Sequence, residues 1–170
     1  MTNILGLIMA IGGIAYLSLL HLQIHKKHIS DLDKACEILS DIKGELSIRP
    51  YALTDLFSTL KNLSFRQNNS FYIDIDKEMS NIGSLEFCQI WSNSAEKNFS
   101  AFSEDELYEF CRLGVVLNRA DFDVQLCSIE KCENKLSSIA VQKKSDYPQI
   151  RKLTVGLAAS AAVCLIILFV

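Results

Sequence analysis

All the charged side chains of this chain lie in its middle, and that distribution limits what the chain can fold into. All 17 lysines and arginines and all 20 aspartates and glutamates lie between Lys26 and Lys152. Residues 1–25 and 153–170 carry none. A simple soluble enzyme does not have this pattern. The chain divides into two uncharged ends and a charged middle, although 170 residues is a usual length for one domain.

The N-terminal end predicts a transmembrane helix. Residues 4–20 read ILGLIMAIGGIAYLSLL, and about 20 mainly apolar helical residues cross about 30 Å of hydrocarbon. A cleaved signal peptide and a buried core helix are the alternatives. No lysine or arginine precedes residue 4, and residues 21–25 (HLQIH) offer no small-residue cleavage site. The sequence therefore favours an uncleaved anchor within residues 1–25.

The C-terminal end predicts a second transmembrane helix. Residues 153–170 read LTVGLAASAAVCLIILFV, which is near the short end of the spanning range of about 17–25 residues. The run is apolar on every face of a helix, and this favours lipid over the core of a soluble domain. The lipid bilayer is thus the first expected partner, and residues 26–152 form the domain between the spans.

Basic residues beside the two predicted spans indicate their orientation. Lys26 and Lys27 follow the first span. The residues that precede the second span include Lys143, Lys144, Arg151 and Lys152. Lysine and arginine accumulate on the cytoplasmic side of membrane helices. Both spans therefore predict a cytoplasmic central domain, with the two termini on the other side of a cell membrane.

Small residues mark candidate packing faces in both spans. Gly6, Ala10 and Gly13 lie on one side of the first helix, and Gly156 and Ser160 are four residues apart on the second. Small residues let membrane helices approach closely. Glycine and alanine are also common in membrane helices for other reasons, so specific pairing of these helices remains open.

The charged middle has the apolar spacing of α-helices. Its first stripe comprises Leu32, Ala35, Cys36, Leu39, Ile42 and Leu46, at intervals of three and four. Similar stripes follow over residues 53–63, 71–81, 85–95, 107–117 and 121–140. Short connections between them predict an antiparallel bundle of about six helices. The expected fold class is all-α, with the bundle between two transmembrane helices.

Local signals refine this assignment. Residues 71–76 (FYIDID) alternate as in a strand, but a lone strand has no partner, so we assign them to the third helix. Breaks are predicted at residues 64–70 and 81–84. Ser103 and Glu106 form a capping box at the start of the fifth helix. Pro148 is expected to kink or break the last helix before the second span.

The sequence shows no catalytic or metal-binding pattern. It lacks a glycine-rich phosphate loop, G-x-S-x-G and H-E-x-x-H, so we expect neither an enzyme nor a cofactor. The six cysteines contain no C-x-x-C pair and are interpreted as structural thiols. His21, His25 and His28 share a helix face that could hold a metal, but interfacial side chains are the interpretation we favour. The net charge of −3 disfavours nucleic acid.

Charge varies along the central domain. Residues 74–109 hold nine acids and two bases, a net of −7, whereas residues 26–66 have a net charge of +1 and residues 112–152 of +3. An acidic surface could attract and steer a basic partner. A solvated acidic face that only keeps the domain soluble is the alternative. The candidate interface residues in this stretch are Asp74, Asp76, Glu78, Glu104, Asp105 and Glu106.

The segment from residue 113, LGVVLNRADFDVQLCSIEKCENKL, resembles the F-G-x-x-L-G-x-x-D-x-x-x-Q signature of the stage III sporulation protein AB family. Gly114, Leu117, Asp121 and Gln125 occupy matching positions, and Asn118 stands where the family usually has glycine. Asp121 and Gln125 are candidates for a partner contact. An N-cap and a hydrogen bond inside the bundle are the alternative, since aspartate is favoured at helix starts.

The resemblance implies a component of the complex that connects mother cell and forespore in endospore formers. The family's helical domain is similar to the cytoplasmic domain, or F-domain, of type II secretion and type IV pilus platform proteins. By that analogy the chain would lie in the mother-cell membrane around the forespore. It would contact a secretion-type ATPase and other channel subunits. A membrane-anchored signalling adaptor or scaffold unrelated to sporulation is the alternative function, and a homo-oligomer remains open.

Overall fold

The computed structural model describes residues 2–48, 52–62, 69–79, 86–119 and 121–169, and these form six α-helices without a strand. Their bounds are α1 Thr2–Ile48, α2 Leu53–Asn62, α3 Ser70–Met79, α4 Phe87–Asn98, α5 Glu104–Arg119 and α6 Phe122–Phe169. The predicted all-helical class is confirmed for these residues. The predicted breaks at 64–70 and 81–84 fall mostly outside them.

The helix α3 shows why the alternating pattern at residues 71–76 was not a strand. Phe71, Tyr72, Ile75 and Met79 are buried, whereas Ile73 is 40% exposed. Burial therefore follows a helical period of 3.6 and not the period of two that a strand requires. The assignment of this segment to a helix is confirmed.

The chain forms two compact units. Residues Met1–Ser30 and Val141–Val170 make up one, here called the terminal unit, and Asp31–Ala140 make up the other, the bundle unit. The helices α1 and α6 contribute to both. In the bundle unit the predicted stripe of α1 is buried, while Cys36 is half-buried beside it. The largest fully buried side chains of the unit are Trp91, Tyr72, Phe57, Phe71 and Phe110.

The helices α5 and α6 run antiparallel in the bundle unit. Gln125, near the start of α6, bonds to Leu117 near the end of α5. Further along α6, Lys135 pairs with Glu109 in the middle of α5. Short connections between successive helices produce this arrangement, as the sequence predicts for α5 and α6.

The helix α6 continues through Pro148, so of the two predicted alternatives at this residue, a kink or a break, the break is wrong. Proline lacks an N–H and cannot donate to the carbonyl four residues earlier, but its fixed φ is compatible with a helix. One backbone hydrogen bond is therefore absent in that turn, and the helix continues through the apolar residues that follow.

One helix in the described part of the chain, α6, is long and apolar enough to cross a membrane, judged by length and composition. This statement does not extend to the N-terminal segment, because the side chains of residues 1–5, 7 and 8 lie outside the described ones. The predicted first span therefore stays a prediction.

Candidate partner-interaction site

Two of the predicted acidic residues on α3 are engaged within the chain. Asp74 accepts hydrogen bonds from Lys97 Nζ at 2.6 Å and from Asn98 Nδ2 at 2.9 Å. Burial alone would raise the pKa of Asp74, but these two bonds, together with the charges of Lys97 and Lys77, lower the pKa. Asp76 pairs with Lys61 on α2 at 2.6 Å. Glu78, on the same helix, is half-buried.

The predicted capping box at the start of α5 is confirmed. The Ser103 N–H donates to Glu106 Oε2 at 2.8 Å, and the Glu106 N–H donates to Ser103 Oγ at 3.4 Å. This reciprocal pair satisfies two backbone donors that a helix start leaves open. Glu106 is 5% exposed, so it offers little surface to a partner. Glu104 and Asp105 are exposed.

Asp121 and Gln125 join the end of α5 to the start of α6. Gln125 Nε2 donates to the carbonyl of Leu117 at 2.9 Å, and the carbonyl of Asp121 accepts from the Gln125 N–H at 2.9 Å. Gln125 therefore makes the hydrogen bond inside the bundle that was the alternative to a partner contact. The Asp121 side chain is exposed directly before α6.

The signature glycine of the α5–α6 segment lies against the single tryptophan. A Cβ atom at Gly114 would lie 2.9 Å from Trp91 Cβ, Cγ and Cδ1. Trp91 is held in place, because its Nε1 donates to the carbonyl of Phe110 at 2.7 Å and its ring stacks on that of Phe110. Only glycine lets α4 and α5 approach this closely. The motif marked Gly114 in the sequence, but its contact with Trp91 could not be predicted.

Two buried polar contacts had no sequence signal. Asp31 is 2% exposed and accepts from the Ala101 N–H at 3.3 Å. Tyr72 is fully buried and its hydroxyl donates to Asp41 at 2.8 Å. Both aspartates lie in a charged stretch of α1, where the sequence suggests a solvated face. They attach later parts of the chain to α1.

A groove of about 270 Å³ lies between α5 and α6, and the sequence did not predict it. Its lining residues are Glu109, Arg112, Leu113, Val116, Ser128, Lys131, Cys132 and Lys135. Glu109 accepts from Lys135 Nζ at 2.8 Å, and this bond lowers the pKa of Glu109. Burial raises the pKa of Cys132 to about 12, so its thiol stays protonated at neutral pH. The groove carries charged side chains that can bind a ligand, and its one thiol is buried and protonated.

The candidate packing residues of the predicted spans lie at the surface of the terminal unit. Gly6, Ala10, Gly13, Gly156 and Ser160 are exposed, and a Cβ at any of these three glycines would meet no atom within 4 Å. The cleft between α1 and α6 in this unit is lined by other residues: Ile14, Leu17, Ser18, His21, Thr154, Leu157 and Ala158. A packing role for the small residues stays a prediction.

The histidines of α1 contact one another. The rings of His21 and His25 meet edge to face, with centroids 4.7 Å apart. Within the described ranges, no group of three or more histidine, cysteine, aspartate or glutamate residues is arranged to hold a metal ion.

Comparison with known proteins places the chain in a family. No curated protein and no solved structure matches it. The family model described as stage III sporulation protein AB matches residues 3–170, which include both units and the α5–α6 segment. Because that match covers far more than half of its residues, the chain belongs to the stage III sporulation protein AB family.

Proposed function

We propose that this protein is a non-enzymatic membrane platform subunit of a sporulation-specific, secretion-like complex that links mother cell and forespore. Membership of the family implies a role in sporulation, and it is the observation that carries the proposal. An adaptor unrelated to sporulation lacks such support. The partners we propose are the bilayer, a cytoplasmic secretion-type ATPase and other channel subunits.

The side chains of the bundle unit support action by contact instead of catalysis. Its buried polar groups serve structure: Asp31 and Glu106 accept backbone N–H groups, and the Cys132 thiol is protonated. In the described ranges no buried side-chain nitrogen or oxygen lacks a hydrogen-bond partner. A catalytic group usually needs a perturbed, available side chain in a cleft. None of these buried groups offers one.

A membrane location is the second part of the proposal. The apolar C-terminal part of α6 supports it, as do the basic residues that precede this part. We place the bundle unit in the mother-cell cytoplasm, where it can reach an ATPase. The N-terminal segment is the second anchor in this arrangement.

The exposed acids of α5 are the part of the predicted acidic surface that we assign to the ATPase. Asp74, Asp76 and Glu106 are engaged within the chain. Glu104 and Asp105 are exposed at the first turn of the helix, and Glu78 is half-buried on α3. Exposed charges act mainly on the encounter rate and are screened by salt.

Co-purification tests this proposal. We expect the ATPase of the same complex to be retained by the full chain in detergent micelles. The double variant Glu104→Gln/Asp105→Asn should retain less of it, and the difference should be larger at low salt. The control Glu37→Gln/Asp123→Asn removes two exposed acids elsewhere and should behave like the wild type. An ATPase that the wild type fails to retain at any salt concentration would exclude the platform function.

A further inference from the structure

We propose that the groove between α5 and α6 binds an acidic segment of the partner, with carboxylates at Arg112 and Lys131. This inference rests on the proposed function, which supplies the ATPase as the partner. It adds a second surface of opposite charge to the acids at the start of α5. It also names the chemistry that the partner must present.

The groove is built from two matching stripes. Of the lining residues, Glu109, Arg112 and Val116 recur at helical spacing on α5, and Ser128, Lys131 and Lys135 do so on α6. The two helices are antiparallel, since Glu109 meets Lys135 while Leu117 meets Gln125. Val116 and Ser128 therefore lie towards one end, the ion pair lies towards the other, and Arg112 and Lys131 lie between them.

The charges of the groove do not balance. Glu109 is its one acidic lining residue, and Lys135 neutralises it. Arg112 also lies near enough to lower the pKa of Glu109 further. Arg112 and Lys131 are exposed, and neither forms a salt bridge within the described part of the chain. Two positive charges thus remain for a ligand.

The floor and one end of the groove are apolar. Leu113 and Cys132 are buried beneath it, and Val116 at one end is half-buried. A ligand that fills the groove should combine carboxylates with an apolar side chain. A short acidic protein segment has this combination, and its carboxylates can accept paired hydrogen bonds from the Arg112 guanidinium group.

The acids at the start of α5 argue against a long polyanion. Glu104 and Asp105 are exposed on the helix that carries Arg112, and residues 74–109 have a net charge of −7. Extended nucleic acid along the groove would meet these repulsive charges. A short acidic segment that ends before Asp105 would not.

Charge reversal in the full chain, held in detergent micelles, tests the inference. We expect Arg112→Glu/Lys131→Glu to bind the ATPase about tenfold more weakly than the wild type, because two exposed attractions become repulsions. The matched control is Lys34→Glu/Lys77→Glu, which reverses two exposed lysines outside the groove. It should bind within about twofold of the wild type. Trp91 emission checks that each variant is folded, and Arg112→Gln/Lys131→Gln replaces a reversal variant that does not fold.

The outcomes separate this inference from the proposed function. Restored binding between Arg112→Glu/Lys131→Glu and an ATPase whose surface acids are changed to lysine would establish the groove contact. If the groove variant binds like the wild type, the inference is overturned and the platform function stands. If the wild type does not bind the ATPase, both are overturned. If the variant instead loses only its binding to vesicles of equal phosphatidylglycerol and phosphatidylethanolamine, the groove belongs to a lipid surface and the inference is overturned.

Discussion

Gly114 is the residue that decides how closely α4 and α5 can pack. The Trp91 ring cannot move aside easily, since its N–H is bonded to the carbonyl of Phe110 and its face lies on the Phe110 ring, with centroids 5.0 Å apart. The Phe71 ring meets the Trp91 ring edge to face, with centroids 5.1 Å apart. A methyl group at Gly114 would therefore push apart two helices and not a flexible side-chain end.

The variant Gly114→Ala tests this contact. Overpacking costs about 1–3 kcal/mol, whereas alanine gains about 1 kcal/mol of helix propensity over glycine. We expect a net loss of up to about 2 kcal/mol in the free energy of unfolding. The emission of Trp91, the single tryptophan, follows unfolding of the full chain by urea in detergent.

A second glycine supplies the control. A Cβ at Gly44, inside α1, would meet no atom within 4 Å. Gly44→Ala should therefore leave the free energy of unfolding unchanged or raise it by up to about 1 kcal/mol. Equal destabilisation by both substitutions would contradict the Trp91 contact.

At the same scale, sequence predicted contacts between near neighbours and missed those between distant residues. The capping box needs only residues 103 and 106, so its spacing is visible in the sequence. Asp31 and Ala101, or Glu109 and Lys135, are far apart in sequence. Only the folded chain brings them together. The groove could not be predicted for the same reason, because it forms only when the charged faces of two separate helices meet.

At the scale of the elements, ion pairs connect helices that lie side by side in the bundle unit. Asp74 on α3 pairs with Lys97 on α4, Glu109 on α5 pairs with Lys135 on α6, and Lys43 on α1 pairs with Glu133 on α6. Most of the groups are partly exposed, so each pair contributes modestly to stability. Together they fix which helix faces meet.

These pairs predict a loss of stability in acid. The hydrogen bond from Lys135 lowers the pKa of Glu109, and bonds from Lys97 and Asn98 overcome the effect of burial and lower the pKa of Asp74. A carboxyl group with a lowered pKa in the folded state stabilises the fold above its unfolded pKa. That stability is lost as the pH falls through the lowered value. We expect the temperature at the midpoint of unfolding of the full chain to decrease when the pH is lowered below about 4.5. Circular dichroism follows the unfolding.

Glu109→Gln should make this acid dependence shallower, because the variant has lost one of the two carboxyl groups. Glu37→Gln removes an exposed carboxylate of α1 and should leave the slope unchanged. An acid slope that Glu109→Gln does not alter would show that the pair with Lys135 is not formed in solution.

At the scale of the whole molecule, the spacing of apolar residues predicts some features of the fold and not others. Burial in α1 and α3 follows the apolar spacing, so helix number and fold class could be read from the sequence. The break predicted at Pro148 is wrong because one proline removes a single backbone hydrogen bond, and α6 continues beyond it. The net charge of the acidic stretch does not distinguish exposed Glu104 from Asp74, which is engaged within the chain. The acidic surface that we assign to the ATPase is therefore reduced to the exposed residues Glu104 and Asp105.

Sidedness is the prediction on which the function of the whole molecule depends. Cys127 is exposed on α6 in the bundle unit and provides a native reporter for that unit. If the bundle is cytoplasmic, a membrane-impermeant maleimide should modify Cys127 only after lysis of vegetative cells that express the full chain. The added thiol of Thr2→Cys, on the opposite side in the proposed topology, should react in intact cells. Loss of the labelling in Cys127→Ser would show that the signal comes from Cys127 and not from the other five cysteines. Labelling of Cys127 in intact cells would place the bundle away from any cytoplasmic ATPase and would exclude the proposed partner.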